Sequence, residues 1–202
     1  MYIPKHYQMK NDNNIKKFME EHNFVTIVTV DDHIPIATHV PVMIEYNEDT
    51  MYLSGHFAKG NPQWKTIQDN SNILVIFSGP HSYISSSWYE EEDVPTWDYQ
   101  SVHAYGTGAL LNEAELTYAL KSMLNKYEAH RENGATWDKL SNQTLKQIKG
   151  VIGFKIKVNR LEAAYKLSQT RSEKEKENII SKLKQSNDNV QINLADETEN
   201  YK

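Results

Sequence analysis

The sequence predicts a mainly β protein, an antiparallel β-barrel with peripheral helices. Seven β-rich segments, separated by short turns, follow one another along the 202 residues. Many short strands with short connections are typical of barrels and sandwiches, and closing a barrel removes exposed sheet edges. No linker-like change of composition interrupts residues 1–185, which predicts a single domain there. Residues 186–202 are polar, and we expect them to form a frayed C-terminal tail.

Each predicted strand either is dense in β-branched and aromatic residues or alternates between apolar and polar side chains. The alternation is clearest from Ile36 to Ile44 and again from Ile152 to Val158. Asp31, Asp32 and His33 predict a turn between the first two strands. The predicted strands are 24–30, 36–46, 51–56, 73–77, 83–89, 102–111 and 151–158.

Helices are predicted where a capping residue precedes an apolar stripe. Asn61 before Pro62 marks a helix start, because Asn caps free amides and Pro is tolerated at the first helical position. Asn112 with Glu115, and Ser172 with Glu175, resemble capping boxes. The predicted helices are 11–21, 62–69, one from 113 to about 127, 141–148, and one opening at 173.

Composition excludes several classes of function. The chain has no cysteine, which excludes disulfides, thiolate metal sites and a Cys nucleophile. Its formal net charge of −5 does not support DNA binding by the whole surface, although a local basic face stays possible. No apolar segment is long enough to span a bilayer and no signal peptide is recognised, so we expect a cytoplasmic protein without a membrane partner.

The stretch from Phe77 to Tyr105 is unusually rich in large rings with polar tips. It contains two Trp, four Tyr and two His among Gly, Pro and serine residues. A core strand would hold more Val, Ile and Leu, and a plain loop would hold fewer rings. Such residues suit a concave site that stacks a flat ring and hydrogen-bonds its rim, but they are also typical of core or interface packing.

A second candidate region runs from Gly55 to Trp64, where a strand ends and a helix begins. Free amides at the helix start, together with His56 and Lys59, predict a phosphate cradle. The alternative is an ordinary junction with solvated basic side chains. His39, His56 and His103 lie at or inside strands, but their spacing does not favour a metal site.

Two further segments carry residue types that are common in catalytic or binding sites. The serine run at 85–87 lacks the G-x-S-x-G elbow of serine hydrolases, so no catalytic residue is predicted there. Lys166, Gln169 and Arg171 precede the last predicted helix and could bind a phosphate or carboxylate, or could be a solvated loop.

Several blocks together resemble the PaiB-like family of FMN-binding negative transcriptional regulators. The resemblance covers about residues 1–185 in order. It rests on M-Y-I-P-K-H at 1–6, A-T-H-V-P at 37–41, G-H-F-A-K-G-N-P-Q-W at 55–64, G-P-H-S-Y-I-S-S-S-W-Y at 79–89, V-P-T-W-D-Y at 94–99, V-H-A-Y-G at 102–106 and E-A-A-Y-K-L-S-Q-T-R-S at 162–172. The chain departs from the family pattern at Ser86, where Pro is usual, and at Asp98 and Thr170, where Asn is usual.

The resemblance implies an antiparallel split β-barrel like that of pyridoxamine-phosphate oxidase, assembled as a homodimer with FMN in a groove between subunits. We expect the cofactor contacts to fall into three groups. Five residues would surround the phosphate and ribityl chain, two the ring edge, and three would close the site from the partner subunit. These are Thr38, His39, Ser54, His56 and Lys59; Trp97 and His103; and Lys166, Gln169 and Arg171.

The implied biology is repression of genes for degradative enzymes and sporulation. The alternative is a flavin- or haem-dependent oxidoreductase of the split-barrel class whose regulatory effect is indirect. Haem would need one neutral histidine near the iron, and the 55–64 block suits a phosphate better than haem propionates. FMN is therefore the predicted cofactor.

Overall fold

The computed structural model describes residues 1–201 and is built around seven strands. The strands are β1 (Phe24–Asp31), β2 (Ile34–Pro41), β3 (Met43–Asn47), β4 (Thr50–Ala58), β5 (Ile73–Ile84), β6 (Thr96–Leu110) and β7 (Val151–Lys166). The helices are α1 (Asp12–Glu21), α2 (Glu113–Glu128), α3 (Asn142–Leu145), α4 (Glu173–Lys184) and α5 (Asn189–Asn200). Short 3-10 helices cover Lys5–Tyr7, Pro62–Thr66, Ser86–Trp88, Trp137–Lys139 and Lys146–Gly150.

One sheet holds all seven strands in the order β2-β1-β5-β6-β7-β4-β3. The pairs β1–β2, β1–β5, β3–β4 and β4–β7 are antiparallel. This confirms the prediction of a mainly β, antiparallel protein with peripheral helices. No helix among the described residues is both long and apolar enough to cross a membrane.

The segment predicted as one strand over 36–46 forms two strands that break at Val42. The Val42 amide donates to the Asn23 carbonyl at 2.9 Å, and the Asn23 side chain donates to the Val42 carbonyl at 2.9 Å. On either side of this point the chain changes partners, since β2 pairs with β1 and β3 pairs with β4. Alternation continues through the break, so the sequence pattern does not reveal it.

Strands β5, β6 and β7 extend well beyond the apolar segments that predicted them. The separate strand predicted at 83–89 is replaced by the continuation of β5 and a 3-10 helix. In β6 every second side chain from Asp98 to Gly108 is buried, but the first two are Asp98 and Gln100. Because these inward positions are polar, the hydrophobic period is hidden at that end of the strand.

Contacts between Cα atoms group the described chain into two compact units. The first contains 1–18, 77–103 and 162–201, with Phe77, Ile84 and Leu167 fully buried. The second contains 19–76 and 104–161, with Phe57, Phe154 and Ile156 fully buried. Since β5, β6 and β7 contribute residues to both groups, the expectation of a single domain over 1–185 stays a prediction.

The C-terminal segment expected to fray instead forms helix α5. Leu194, Ala195 and Thr198 are buried, which places an apolar stripe at helical spacing. The Asp188 carboxylate caps the helix by accepting from the Val190 amide at 2.9 Å. Lys184 of α4 pairs with Glu199 at 2.6 Å. The overall polar composition of this segment did not indicate a packed helix, because only three buried residues form its inward face.

A left-handed turn joins β1 to β2, as the sequence predicted. Asp32 and His33 have φ values of 44° and 65°. Two consecutive residues with positive φ are typical of a type I′ hairpin turn, which Asn-Gly usually forms. This turn fixes the pairing of β1 with β2, from Phe24 opposite Pro41 to Asp31 opposite Ile34.

The Gln63 network is the most extensive buried polar contact in the second unit. Gln63 is 1% exposed, and its amide nitrogen donates to the Ile27 carbonyl at 3.0 Å and to the Thr29 hydroxyl at 3.1 Å. The same nitrogen lies 3.3 Å from the Ile36 carbonyl, while the amide oxygen accepts from Thr38 at 2.5 Å. One side chain thereby joins the 3-10 helix Pro62–Thr66 to both β1 and β2.

Replacing Gln63 with Leu should destabilise the protein by about 2–4 kcal/mol, because buried hydroxyl and carbonyl groups lose their partner. Urea unfolding followed by far-UV circular dichroism measures this. Gln68→Leu is the matched control, since the Gln68 oxygen accepts one exposed bond from the Leu110 amide and its loss should cost about 0.5–1 kcal/mol. Equal losses for both variants would contradict a central role for Gln63.

Candidate functional site

The second unit holds the residues predicted to contact the phosphate, beginning with Thr38 and His39 on β2. The Thr38 hydroxyl donates to Gln63 at 2.5 Å and accepts from the Asn61 amide at 2.8 Å. His39 is exposed; its Nδ1 lies 2.9 Å from the Thr26 hydroxyl and its ring stacks on Phe24. Thr38 is therefore part of the Gln63 network, whereas the His39 ring faces solvent.

Ser54 and His56 occupy different surroundings on β4. The Ser54 hydroxyl is buried and donates to the Glu45 carboxylate at 2.9 Å, and Lys155 lies 3.2 Å from the same carboxylate. A carboxylate so close to Ser54 opposes a bound phosphate there. His56 lines an apolar cavity beside α2, and burial lowers its pKa.

Lys59 follows β4 and is exposed. Its amide donates to the Gly150 carbonyl at 2.8 Å, and its carbonyl accepts from the Trp64 indole at 3.2 Å. Within residues 1–201 no carboxylate pairs with its ammonium. A Cβ added at Gly60 would meet nothing within 4 Å, so the backbone there is open. This segment offers a fixed main chain with one cation directed at solvent.

The helix after Lys59 begins where the sequence predicted, but its amides are not all free. Asn61 caps the 3-10 helix by accepting from the Gln63 amide at 3.0 Å, and Pro62 is the first helical residue. The helix ends at Thr66 rather than near 69. Because the cap occupies an amide of the proposed cradle, Lys59 is the better candidate for a phosphate contact in this segment.

A groove of about 460 Å³ lies in the first unit and includes both residues predicted at the ring edge, Trp97 and His103. Trp97 is 50% exposed, and its indole nitrogen lies 3.3 Å from Nδ1 of His81. The remaining lining residues add rings, hydroxyls and an amide. They are Met1, Ser78, Gly79, His81, Tyr99, Gln100 and Ser101.

His103 in this groove is favoured in its neutral form. Burial lowers its pKa, the Met1 amino group acts in the same direction, and Glu162 acts in the opposite one. The Met1 amino group also forms an ion pair with Glu162. A neutral imidazole offers one donor and one acceptor, which suits a heterocyclic ring edge.

Lys166 belongs to a second cluster in the first unit, which we call the Asp98 network. Its ammonium donates to the Thr96 hydroxyl and to the Trp97 carbonyl at 2.8 Å, and lies 3.9 Å from Asp98. Ser168 donates to the other oxygen of Asp98 at 2.5 Å from a strained backbone with φ of 53°. Lys166 thus supports the backbone that presents Trp97.

Asp98 is 1% exposed, and burial raises its pKa to about 6. The hydrogen bond from Ser168 and the charges of Lys166 and Arg171 oppose this shift without cancelling it. Desolvation in turn lowers the pKa of Lys166, against the attraction of Asp98. The network therefore holds a carboxyl group that titrates close to neutral pH.

Gln169 and Arg171 secure the turn that carries this network. The Gln169 amide donates to the carbonyls of Tyr165 at 2.7 Å and His6 at 3.1 Å, and its oxygen accepts from the Leu167 amide at 2.8 Å. Arg171 lies 2.7 Å from Asp93, with its guanidinium 3.8 Å from the centre of the Tyr89 ring. Their predicted contacts with FMN from a partner subunit stay predictions.

The ten predicted FMN contacts do not include His81 and Tyr99 of the groove, and the buried position of Asp98 was not predicted. All three lie in the aromatic stretch between Phe77 and Tyr105, whose composition did signal a site. The alternation within β6 could have separated Asp98, which points inward, from Trp97 and Tyr99, which point to the groove. A charged residue at an inward position is the signal that was available.

Solved structures with the same fold define the class of this chain. The flavocytochrome Anf3 from Azotobacter vinelandii is 12% identical, covers 82% of this chain and 72% of its own, and has a TM-score of 0.62. A FAD and haem binding protein from Mycobacterium smegmatis is 14% identical, covers 79% and 73%, and has a TM-score of 0.58. This likeness confirms the predicted antiparallel split β-barrel fold.

Residues 1–160 match the family model described as "Putative FMN-binding domain", and the chain belongs to that family. The prediction of FMN as the cofactor is confirmed at the level of the family. A curated relative from Bacillus subtilis, "Protease synthase and sporulation protein PAI 2", is 50% identical over 184 residues, which is 91% of this chain and 89% of the relative. The predicted resemblance to PaiB-like proteins is thereby confirmed.

Asp98→Asn should remove a pH-dependent loss of stability. The folded-state pKa of about 6 exceeds the ordinary value of 3.8, so the stabilisation from the neutral carboxyl is complete below about pH 4 and is lost as the pH rises through 6. Asn keeps an oxygen that accepts from Ser168. Relative to wild type, the variant should gain roughly 2–3 kcal/mol of unfolding free energy between pH 4 and pH 7.

Urea unfolding across this pH range measures the difference, and Asp93→Asn is the control. The Val94 amide and then Arg171 lower the pKa of Asp93, so its stabilisation is present at neutral pH and is lost in acid. The two variants should thus deviate from wild type with opposite pH dependence. A pH-independent offset for Asp98→Asn would show that this carboxyl titrates normally.

Proposed function

We propose that this chain is an FMN-binding negative transcriptional regulator of the PaiB type, which represses genes for degradative enzymes and sporulation. The observation that carries the flavin part is the groove of the first unit, which gathers an exposed indole, a tyrosine ring and two imidazoles. The regulatory part is supported by the likeness to the Bacillus subtilis sporulation protein, at 50% identity over most of both chains.

The residues of the groove fit the isoalloxazine ring of FMN. Trp97 and Tyr99 offer aromatic faces, while His81, His103 and Ser101 offer donors and acceptors for the heteroatoms of the ring edge. Its volume of about 460 Å³ lies within the usual range of small-molecule sites. When bound, FMN supplies a ring that accepts and releases electrons. The chain's own residues orient this ring, with Lys166 holding the Trp97 backbone.

Lys59 is proposed to contact the phosphate. It is the exposed cation beside an open backbone at Gly60, and a phosphate strongly prefers charge-assisted donors. His39 is a second exposed group of the same unit, and its imidazole can donate a hydrogen bond to a phosphate. The hydroxyls of Thr38 and Ser54 already donate to Gln63 and Glu45, so we propose that they contribute less to phosphate binding than Lys59 does.

A second copy of the chain is proposed to cover the outer face of the β1–β2 hairpin. Phe24 and Val30 are 66% and 51% exposed near the two ends of this face, and Ala37 of β2 is exposed between them. Exposed apolar side chains along one sheet face mark interaction surfaces, and isologous pairing is the commonest arrangement of soluble oligomers. Sedimentation at micromolar concentration should give twice the mass of one chain, and Val30→Lys should shift it toward the monomer.

FMN binding is tested by titration with flavin fluorescence as the readout. Trp97→Leu should raise the FMN dissociation constant roughly 3–10-fold through lost stacking, while Tyr118→Leu, an exposed aromatic control on α2, should leave it unchanged. Lys59→Ala should weaken FMN about tenfold and riboflavin little, and Lys65→Ala is its control. Normal affinity in both test variants would reject these contacts.

Repression is tested by mobility shift of promoter DNA, with FMN and without it. If the protein binds DNA directly, the affinity should fall steeply between about 50 and about 200 mM salt, because phosphate contacts release counterions. FMN should change the affinity if flavin is the sensed signal. No shift at any salt, together with steady NADPH oxidation by the flavin-loaded protein, would favour an oxidoreductase with an indirect effect.

A further inference from the structure

An apolar pocket that opens to solvent on one side lies beside helix α2 in the second unit, away from any residue assigned to the flavin ring. Its volume is about 350 Å³. Leu120, Met123 and Leu124 of α2 form one wall, and His56 and Val151 contribute from the sheet. We call this space the α2 cavity.

Close approach of α2 to the sheet shapes one end of the α2 cavity. Gly153 of β7 lies directly opposite His56 of β4 in the sheet register. A Cβ added at Gly153 would lie 2.9 Å from a methyl of Leu116 and 3.0 Å from a methyl of Leu111, so a larger residue there would make these side chains shift. The helix then continues past the sheet, and its next turns line the space beside His56.

The segment between α2 and β7 covers the other side of the cavity. It consists of three short helical pieces, Trp137–Lys139, Asn142–Leu145 and Lys146–Gly150. Their apolar side chains, among them Trp137, Leu140 and Ile148, line the cavity. Short helices joined by turns can shift more easily than a long helix or a strand, which gives a ligand a route in.

The chemistry of the lining selects the kind of ligand. No Asp, Glu, Lys or Arg belongs to the described lining, whose polar members are His56, Thr144 and Gln147. Burial lowers the pKa of His56, so its imidazole is neutral near pH 7 and offers one donor and one acceptor. An ionised ligand would lose part of its hydration here without gaining a counter-charge.

We propose that the α2 cavity binds a neutral, largely apolar small molecule of the phenol class, with one ring and one hydrogen-bonding group directed at His56. An apolar cavity of roughly 150 Å³ can already hold benzene, so a ring with a short substituent fits the larger volume here. Trp137 and Met123 favour an aromatic ligand, because ring–ring and sulfur–ring contacts add to apolar burial. The site uses His56, which the family resemblance placed near the FMN phosphate, but none of the residues proposed above to hold the flavin.

The experiment uses the full chain and three probes of similar shape, p-cresol, toluene and 4-methylbenzoate. At about ten times its dissociation constant, p-cresol should raise the melting temperature by roughly 2–4 °C, because it binds only the folded state. Toluene should raise it less, since it leaves His56 unpaired, and 4-methylbenzoate should have no effect. p-Cresol should also shift the NMR signal of the Trp137 indole N–H.

Met123→Trp fills the cavity and should abolish the p-cresol effect, while FMN titration stays normal. Ala114→Trp is the matched control, because it adds the same ring on the exposed first turn of α2. His56→Phe is the second variant and should make p-cresol and toluene equivalent. No rise with p-cresol, or an equal rise in Met123→Trp, would overturn the proposal; equal rises by p-cresol and toluene in wild type would overturn the role of His56.

Discussion

The carboxamide of Gln63 is the contact on which the second unit depends most. This one buried amide bonds to the Ile27 carbonyl of β1 and the Ile36 carbonyl of β2, and to the hydroxyls of Thr29 and Thr38. A buried polar group that loses such a partner carries a desolvation penalty. The network therefore sets the position of the 3-10 helix relative to the hairpin. Lys59 and Asn61 directly precede that helix. The position of the segment proposed to contact a phosphate therefore depends on the hydrogen bonds of Gln63.

In the first unit the central buried polar group is a carboxyl group, that of Asp98. Asp98 points inward from β6, and Ser168 and Lys166 approach it from the end of β7 and the turn that follows. A buried carboxyl group is poor evidence for stability, since its desolvation offsets much of what its partners return. The arrangement instead fixes the position of Trp97. Lys166 also donates to the Trp97 carbonyl, so the backbone that carries this exposed ring is held in place.

The sequence predicted local features best where a single chemical rule decides the outcome. The Asn112 capping box, the Asn61 cap and the Asp32–His33 turn all form as expected, because each depends on neighbours a few residues apart. The break at Val42 and the stripe of α5 were not predictable, because each depends on a partner distant in sequence. In the groove, Trp97 and His103 were identified from composition and resemblance, whereas the Glu45 carboxylate beside Ser54 became visible only through strand pairing.

Five non-glycine residues of the described chain adopt left-handed backbone conformations: Asp32, His33, Glu48, Asp69 and Ser168. Such conformations cost an L-residue roughly 1 kcal/mol that glycine escapes. Four of the five are exposed, and natural chains seldom sit at their stability optimum. These four turn positions are therefore sites where substitution by glycine would raise thermal stability. At Ser168, the fifth position, glycine would remove the hydroxyl that donates to Asp98. Ser168 should therefore be kept in a thermostabilised variant.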